Sequence, residues 1–247
     1  ISLGPKRMTY EQVLCPNDRL LLNNSYLLEQ FSFQTRTLAA FANKKNSMRT
    51  MLDAAGDLVL WYTGEEIIVA NLRSDVEVLR LAEKCKKSKD PGVGYYCQGV
   101  LSPLQTKLAY RVTESEYVLV DLKSAQSLVI ANSGWHPFFS PDDQFFSVGG
   151  KFYQCSNGME IENPFPFSIL PDLQYSDTCA VKVRNNLMAV QQGRGNSPVE
   201  MWDLSSAKML ASIKDPFVVR EVNFGFTKNN LVMHTDYGAM SIYQCIQ

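Results

Sequence analysis

The residues able to do acid–base, nucleophilic or metal chemistry are few. The chain holds two histidines, His136 and His234, far apart in its 247 residues. His234 lies in the strand-like run Leu231-Val232-Met233-His234-Thr235. There it reads as a packed imidazole bonded to a neighbour rather than as a catalytic base. His136 precedes Pro137 and reads as a turn residue. The six cysteines are Cys15, Cys85, Cys97, Cys155, Cys179 and Cys245. They form no C-x-x-C pair and have no zinc spacing with either histidine. They read as small buried hydrophobes, with free thiols, in a reducing compartment. Asp142-Asp143 has the composition of a paired-carboxylate or cation site. It follows Ser140-Pro141, however, and reads as a tight turn. Gly92-Val93-Gly94 lacks the third glycine and the following helix of a dinucleotide site. No G-x-S-x-G, P-loop or H-E-x-x-H is present. The expectation is a chain with no catalytic residue, no metal and no cofactor, and not an enzyme.

Composition sets further bounds. Charged residues make up 20% of the chain and hydrophobic ones 45%, as in globular domains. Lys and Arg number 24 against 25 Asp and Glu, a net charge of −1. No global basic field exists to hold nucleic acid or an anionic membrane. The apolar runs are too short for a membrane span.

What positions these residues is a repeat. A polar turn followed by an apolar strand recurs at NDRLLLNN from Asn17, GDLVLWY from Gly56 and QTKLAYRV from Gln105. It recurs again at DDQFFSVGG from Asp142, NNLMAVQQ from Asn185 and NNLVMHTD from Asn229. Partner strands follow: YLLEQFSFQ, EIIVANL, YVLVDL, KFYQCSNG, VEMWDL and AMSIYQC. Most partners lead to an outer strand, as in TLAAFAN, VEVLRLA, SLVIAN and KMLASI. A period of about 40–45 residues with several short strands per unit is the mark of propeller blades. The units fall at 9–45, 46–90, 91–133, 134–171, 172–214 and 215–247. The fold class is therefore all-β: a β-propeller of four-stranded antiparallel blades, six units visible and six or seven blades in all. Residues 1–247 form a single propeller domain, alone or within a longer chain. The last unit shows three strands, and its fourth is expected from Ile1–Met8 or from outside this sequence.

VEMWDLSSAKMLASI, Val199 to Ile213, resembles the WD-repeat β-propeller family, with Trp202-Asp203 as the eponymous pair. Phe139–Gly150, FSPDDQFFSVGG, is similar to that family's turn and second strand. Two features depart from the pattern: no Gly-His pair precedes any unit, and there is one Trp-Asp only. The chain is identified as a diverged member. Trp202, in an alternating strand, is expected to be a buried blade residue.

That resemblance implies a non-catalytic protein-interaction scaffold, a subunit of a larger intracellular complex in cytoplasm or nucleus, with other proteins as partners. It also raises a second reading, a substrate receptor of a cullin-type ubiquitin ligase. Such receptors carry an Arg two places after the Trp-Asp aspartate. That place holds Ser205 in the fifth unit and Arg73 in the second. A third reading is an enzyme with its site at the propeller mouth. Specificity in a propeller comes from the parts that differ between blades. Here these are the lysine-rich Glu83–Gly94, the apolar Asn163–Pro171 and the flexible Gly193–Pro198. Phe165, Phe167 and Arg194 are the expected anchors of a protein contact. Lys86 and Lys87 are expected to steer association, and Arg73 completes the candidate set. Alkylation of the unfolded chain without reductant should modify all six cysteines, read by mass; a protected pair would reverse the assignment to a reducing compartment.

Overall fold

In a computed structural model, the structure describes residues 12–14, 19–24, 27–32, 37–40, 50–74, 76–82, 98–132, 134, 137–164, 180–191, 197–214, 222–226, 230–235 and 240–244. Each sequence unit supplies one antiparallel sheet. The first is β1 (Gln12–Leu14), β2 (Arg19–Asn24), β3 (Leu27–Ser32) and β4 (Thr37–Ala40). The second is β5 (Thr50–Ala55), β6 (Leu58–Tyr62), β7 (Ile67–Asn71) and β8 (Val76–Leu81). The third is β9 (Gly99–Leu101), β10 (Lys107–Thr113), β11 (Glu116–Asp121) and β12 (Ser127–Ala131). The fourth is β13 (Phe138–Phe139), β14 (Phe145–Val148), β15 (Lys151–Gln154) and β16 (Glu160–Ile161). The fifth is β17 (Ala180–Arg184), β18 (Leu187–Gln191), β19 (Val199–Asp203) and β20 (Lys208–Ile213). The last holds β21 (Val222–Phe226), β22 (Asn230–Thr235) and β23 (Met240–Gln244).

The first strands of successive sheets touch in turn, β1 to β5, β5 to β9, β9 to β13, β13 to β17 and β17 to β21, and β21 returns to β1. That closed ring of inner strands makes the fold a β-propeller. The blade count needs correction. Complete four-stranded blades number five, rather than the six or seven expected. The sixth unit contributes three strands, and no described strand pairs with the outer edge of β23.

Sheet-to-sheet packing explains the composition of the strands. A half-exposed strand alternates apolar and polar, but a strand covered on both faces reads as a continuous apolar run. β10 sends Leu108 and Tyr110 into the core against the second sheet and Ala109 into the core against the fourth. Phe138 and Phe139 part in the same way. Phe138 meets Phe152, Met188 and Val190 of the fourth and fifth sheets, and Phe139 meets Phe146, Tyr117 and Leu119 of the third and fourth. Rings pack tilted or edge-on, Phe139 on Phe146 at 5.3 Å and Phe138 on Phe152 at 6.4 Å. Val199 and Met201 join the core with Phe226 and Leu231 of the last sheet. Trp202 points the other way, as the alternation requires, but it is half-buried rather than buried. Its indole Nε1 donates to Glu200 Oε2 at 3.2 Å, which keeps the polar edge near solvent.

The turns after the third strands share one device. Asn71, Asp121 and Asp203 each end a strand, and each side-chain Oδ1 accepts from backbone N–H groups two and three residues on. This Asx geometry satisfies two amides of each turn, and the turn at Asp121 adds a backbone bond from the Ala125 N–H to the Asp121 carbonyl at 2.9 Å. The Ser206 amide and the Ser205 hydroxyl hold the Asp203 carboxyl at about 2, below its ordinary 3.8. Asp121 is likewise held at about 2, chiefly by the Ser124 amide. A carboxylate whose folded pKa is depressed stabilises the fold above its unfolded pKa and loses that contribution as pH falls through the folded value. Thermal stability should therefore fall as pH drops from about 4 toward about 2, and Asp203→Asn should flatten part of that fall. Melting temperature at neutral pH should rank wild type, then Asp203→Asn, then Asp203→Ala. Indistinguishable curves for all three would show that the turn does not depend on this acceptor.

Candidate functional site

The described residues that line a concave site gather at one rim of the propeller. Antiparallel connection places the turn between first and second strands, and the turn between third and fourth, at the same end of each sheet. A cavity of about 190 Å³ opens on the axis at this end. It is walled by Ala55 and Gly56, by Pro103 to Gln105, by Pro141, by Arg184 and Asn185, and by Phe226.

The first turns repeat a backbone feature. Gly56, Gln105, Asp143 and Asn185, one per sheet in four successive sheets, all have φ between 49 and 61°. Gly is the residue that adopts this region without cost, and Asn and Asp tolerate it. Gly56 has a second reason: a Cβ there would come within 2.1 Å of the Gln105 amide. Gln105 lies over it and accepts from the Asp57 N–H at 3.1 Å, tying the third sheet to the second. Asp143 ties the fourth sheet to the third. Its Oδ2 accepts from Ser102 Oγ and Thr106 Oγ1, both at 2.6 Å, and its Oδ1 from the Leu104 N–H at 3.2 Å. Ser102 and Ser140 occupy matching places. The Ser102 hydroxyl oxygen accepts from the amides of Thr106 and Lys107, and that of Ser140 from the amide of Phe145. The reading of Asp142-Asp143 as a turn holds. Its role as an inter-sheet clamp was visible only in the parallel between Ser102-Pro103-Leu104-Gln105 and Ser140-Pro141-Asp142-Asp143.

Deeper in the cavity, Asp53 of β5 is buried. Its Oδ2 accepts from the Leu101 N–H at 2.8 Å, and its Oδ1 meets Lys182 Nζ at 3.2 Å. Lys182 belongs to β17, so this ion pair crosses the axis between sheets that are not neighbours. Two residues on, Arg184 Nη1 donates to the Phe226 carbonyl at 3.0 Å and ties the fifth sheet to the sixth. Val181 and Val183 point away into the core with Met188 and Val190. Strand alternation thus sets both cations of β17 on one side.

Of the residues expected to bind partners, Arg73 is described. It lies at this rim, its side chain 63% exposed, and its Nε donates to Asp57 Oδ1 at 2.8 Å. The Arg that the ligase-receptor reading depends on is thus engaged within its own sheet. Phe165, Phe167, Arg194, Lys86 and Lys87 lie outside the described residues, as does His136. The strands that bracket those five positions, β16 and β17, β18 and β19, β8 and β9, leave and enter at the opposite rim. Cys155 is buried and free, and burial pushes its thiol up to about 12; the other cysteines lie outside the described residues. Among the described residues no group of three His, Cys, Asp or Glu is placed to hold a metal, and no helix is long and apolar enough to cross a membrane.

Fold and site together define a β-propeller whose sheets are tied by side chains at the turn rim, and by Asn132 to Val148 and Tyr153 at the other, around an axial cavity carrying two cations and one carboxylate. Compared with known proteins, the chain matches no family model and no curated relative. Asp143→Ala should lower unfolding free energy by ~2 kcal/mol, since it strands the buried Ser102 hydroxyl and removes the acceptor of the partly exposed Thr106 hydroxyl and Leu104 amide. A urea midpoint unchanged by this substitution would mean that the clamp is dispensable.

Proposed function

We propose that the protein is a non-catalytic interaction scaffold of the WD-repeat kind, a subunit of a larger intracellular assembly, and that it meets a partner through the turn rim. One observation carries this reading. Of the seven large apolar side chains exposed among the described residues, two stand in turns of that rim and five lie on the outer strands β8, β12 and β20. Leu104 is 57% exposed in the first turn of the third sheet, and Met159 is 64% exposed in the last turn of the fourth. Val76 opens β8 and Met209 is the second residue of β20, while Val78, Leu210 and Val129 stand further along the outer strands. Single exposed apolar residues are ordinary on any surface. Together they line the rim turns and the outer strands of four successive sheets, an exposed edge that a docking partner can reach. The polar groups beside them favour the same reading: Asp53, Asp57 and Asp143 each hold sheets or turns together rather than standing ready for proton transfer.

Tagged full-length chain, captured from cells, should bring down a stable stoichiometric set of partners. Leu104→Asp combined with Met159→Glu should abolish that set while leaving the melting temperature and far-ultraviolet circular dichroism unchanged. Phe167→Asp, whose flanking strands end at the opposite rim, serves as the comparison. Loss of partners in that variant alone would move the docking face to the other rim. Capture of no partner by the unsubstituted chain would remove the scaffold reading.

A further inference from the structure

We propose that the axial cavity binds a carboxylate group, presented by an acidic side chain of a partner segment. The source of that group rests on the scaffold reading; the site itself is read from the cavity. Among its described lining residues the ionisable ones are Asp53, Lys182 and Arg184, two cations against one carboxylate. Both Asp53 oxygens are already used, one by the Leu101 N–H and one by the Lys182 ammonium. The remaining polar side chains of the wall are donors or carry donors. Lys182 has three N–H groups and is 36% exposed. Arg184 brings a guanidinium charge, with Nη1 engaged on the Phe226 carbonyl, and the amides of Gln105 and Asn185 sit at the mouth. Among the backbone groups of the wall, Pro103, Pro137 and Pro141 have no N–H and the Leu101 N–H belongs to Asp53. A concave, partly apolar site with surplus donors and positive charge selects an anion.

Size narrows the class. The cavity's volume of about 190 Å³ equals roughly six waters at ~30 Å³ each. It lies below the ~300 Å³ at which pockets for drug-sized ligands begin. That volume takes one side chain and is too small to enclose a whole nucleotide. Leu104 and Phe226 at the wall give its methylenes an apolar lining.

The test uses isotope-labelled full-length chain and three probes: glutarate, acetyl-Gly-Glu-Gly-Glu-Gly-amide and its glutamine counterpart. The glutamate peptide should shift the amide resonances of Leu101, Lys182 and Arg184 saturably, and the glutamine peptide should not. Lys182→Met should weaken glutamate-peptide binding about tenfold or more, as expected for a lost charge-assisted hydrogen bond. Asp53→Asn should tighten it several-fold, because the amide can still accept from Leu101 while the competing charge is gone. A merely structural ion pair predicts no tightening. If Lys182→Met fails to fold, Asp53→Asn and Arg184→Gln decide the matter. Binding of both glutarate and the glutamate peptide supports the site, and of the peptide alone supports it and the partner as source. Binding of glutarate alone overturns the partner as source. No saturable shift from either, equal binding of the glutamine peptide, or no tightening in Asp53→Asn overturns the proposal. These outcomes do not depend on whether partners are captured from cells, so the two readings fail separately.

Discussion

Each sheet of this ring must be apolar on both faces, because each is a wall shared by two cores. That constraint shapes everything else. Middle strands such as β6 and β10 are buried on both sides, so polar groups are pushed to the turns and to the outer strands. The outer strands β8 and β20 are largely exposed. The inter-sheet hydrogen bonds therefore collect at the strand ends, where Asp53, Gln105, Asp143 and Arg184 each reach a different sheet from their own. Buried charge is tolerated there because it is paired or fully bonded. The axial cavity is a by-product of the same arrangement: inner strands held apart by the width of their side chains leave a space that one ion pair spans.

The second and third strands were legible in the sequence because they are the most buried, and double burial leaves long apolar runs bounded by Asp, Asn and Gly. Asp203 and Asp121 marked their turns for a local reason, the reach of a short carboxylate to amides two and three residues on. The first strands escaped notice. β9 and β13 hold three and two residues, too few to show any period, and β16 is as short. The blade count overshot because a repeat period counts units and not strands: the sixth unit has the period and three strands.

The axial site was not legible, and the reason is distance along the chain. Asp53 and Lys182 pair across most of the chain, and nothing local to Leu52-Asp53-Ala54 or Val181-Lys182-Val183 distinguishes a charged residue in an inner strand from one on a surface. Only the ring brings them together. Asp143 lies between these cases. Its turn was readable from Ser140-Pro141, but its partners sit one repeat earlier, so the clamp emerges only when two turns are compared.

Each described sheet is built from one unbroken stretch of chain, and no described strand of one sheet comes from the segment of another. Hydrogen-bonded pairing is thus local throughout, and long-range order enters through packing of faces and through closure of β21 on β1. Local pairing is kinetically cheap, since short loops cost little entropy to close, whereas joining the two ends of the ring costs the entropy of the longest loop. Meanders should therefore form early, and closing the seam between the last sheet and the first should be the slow step of assembly. The same seam is where a native ring opens at least cost, so amide protons of the inner strands there exchange sooner than those of the central sheets.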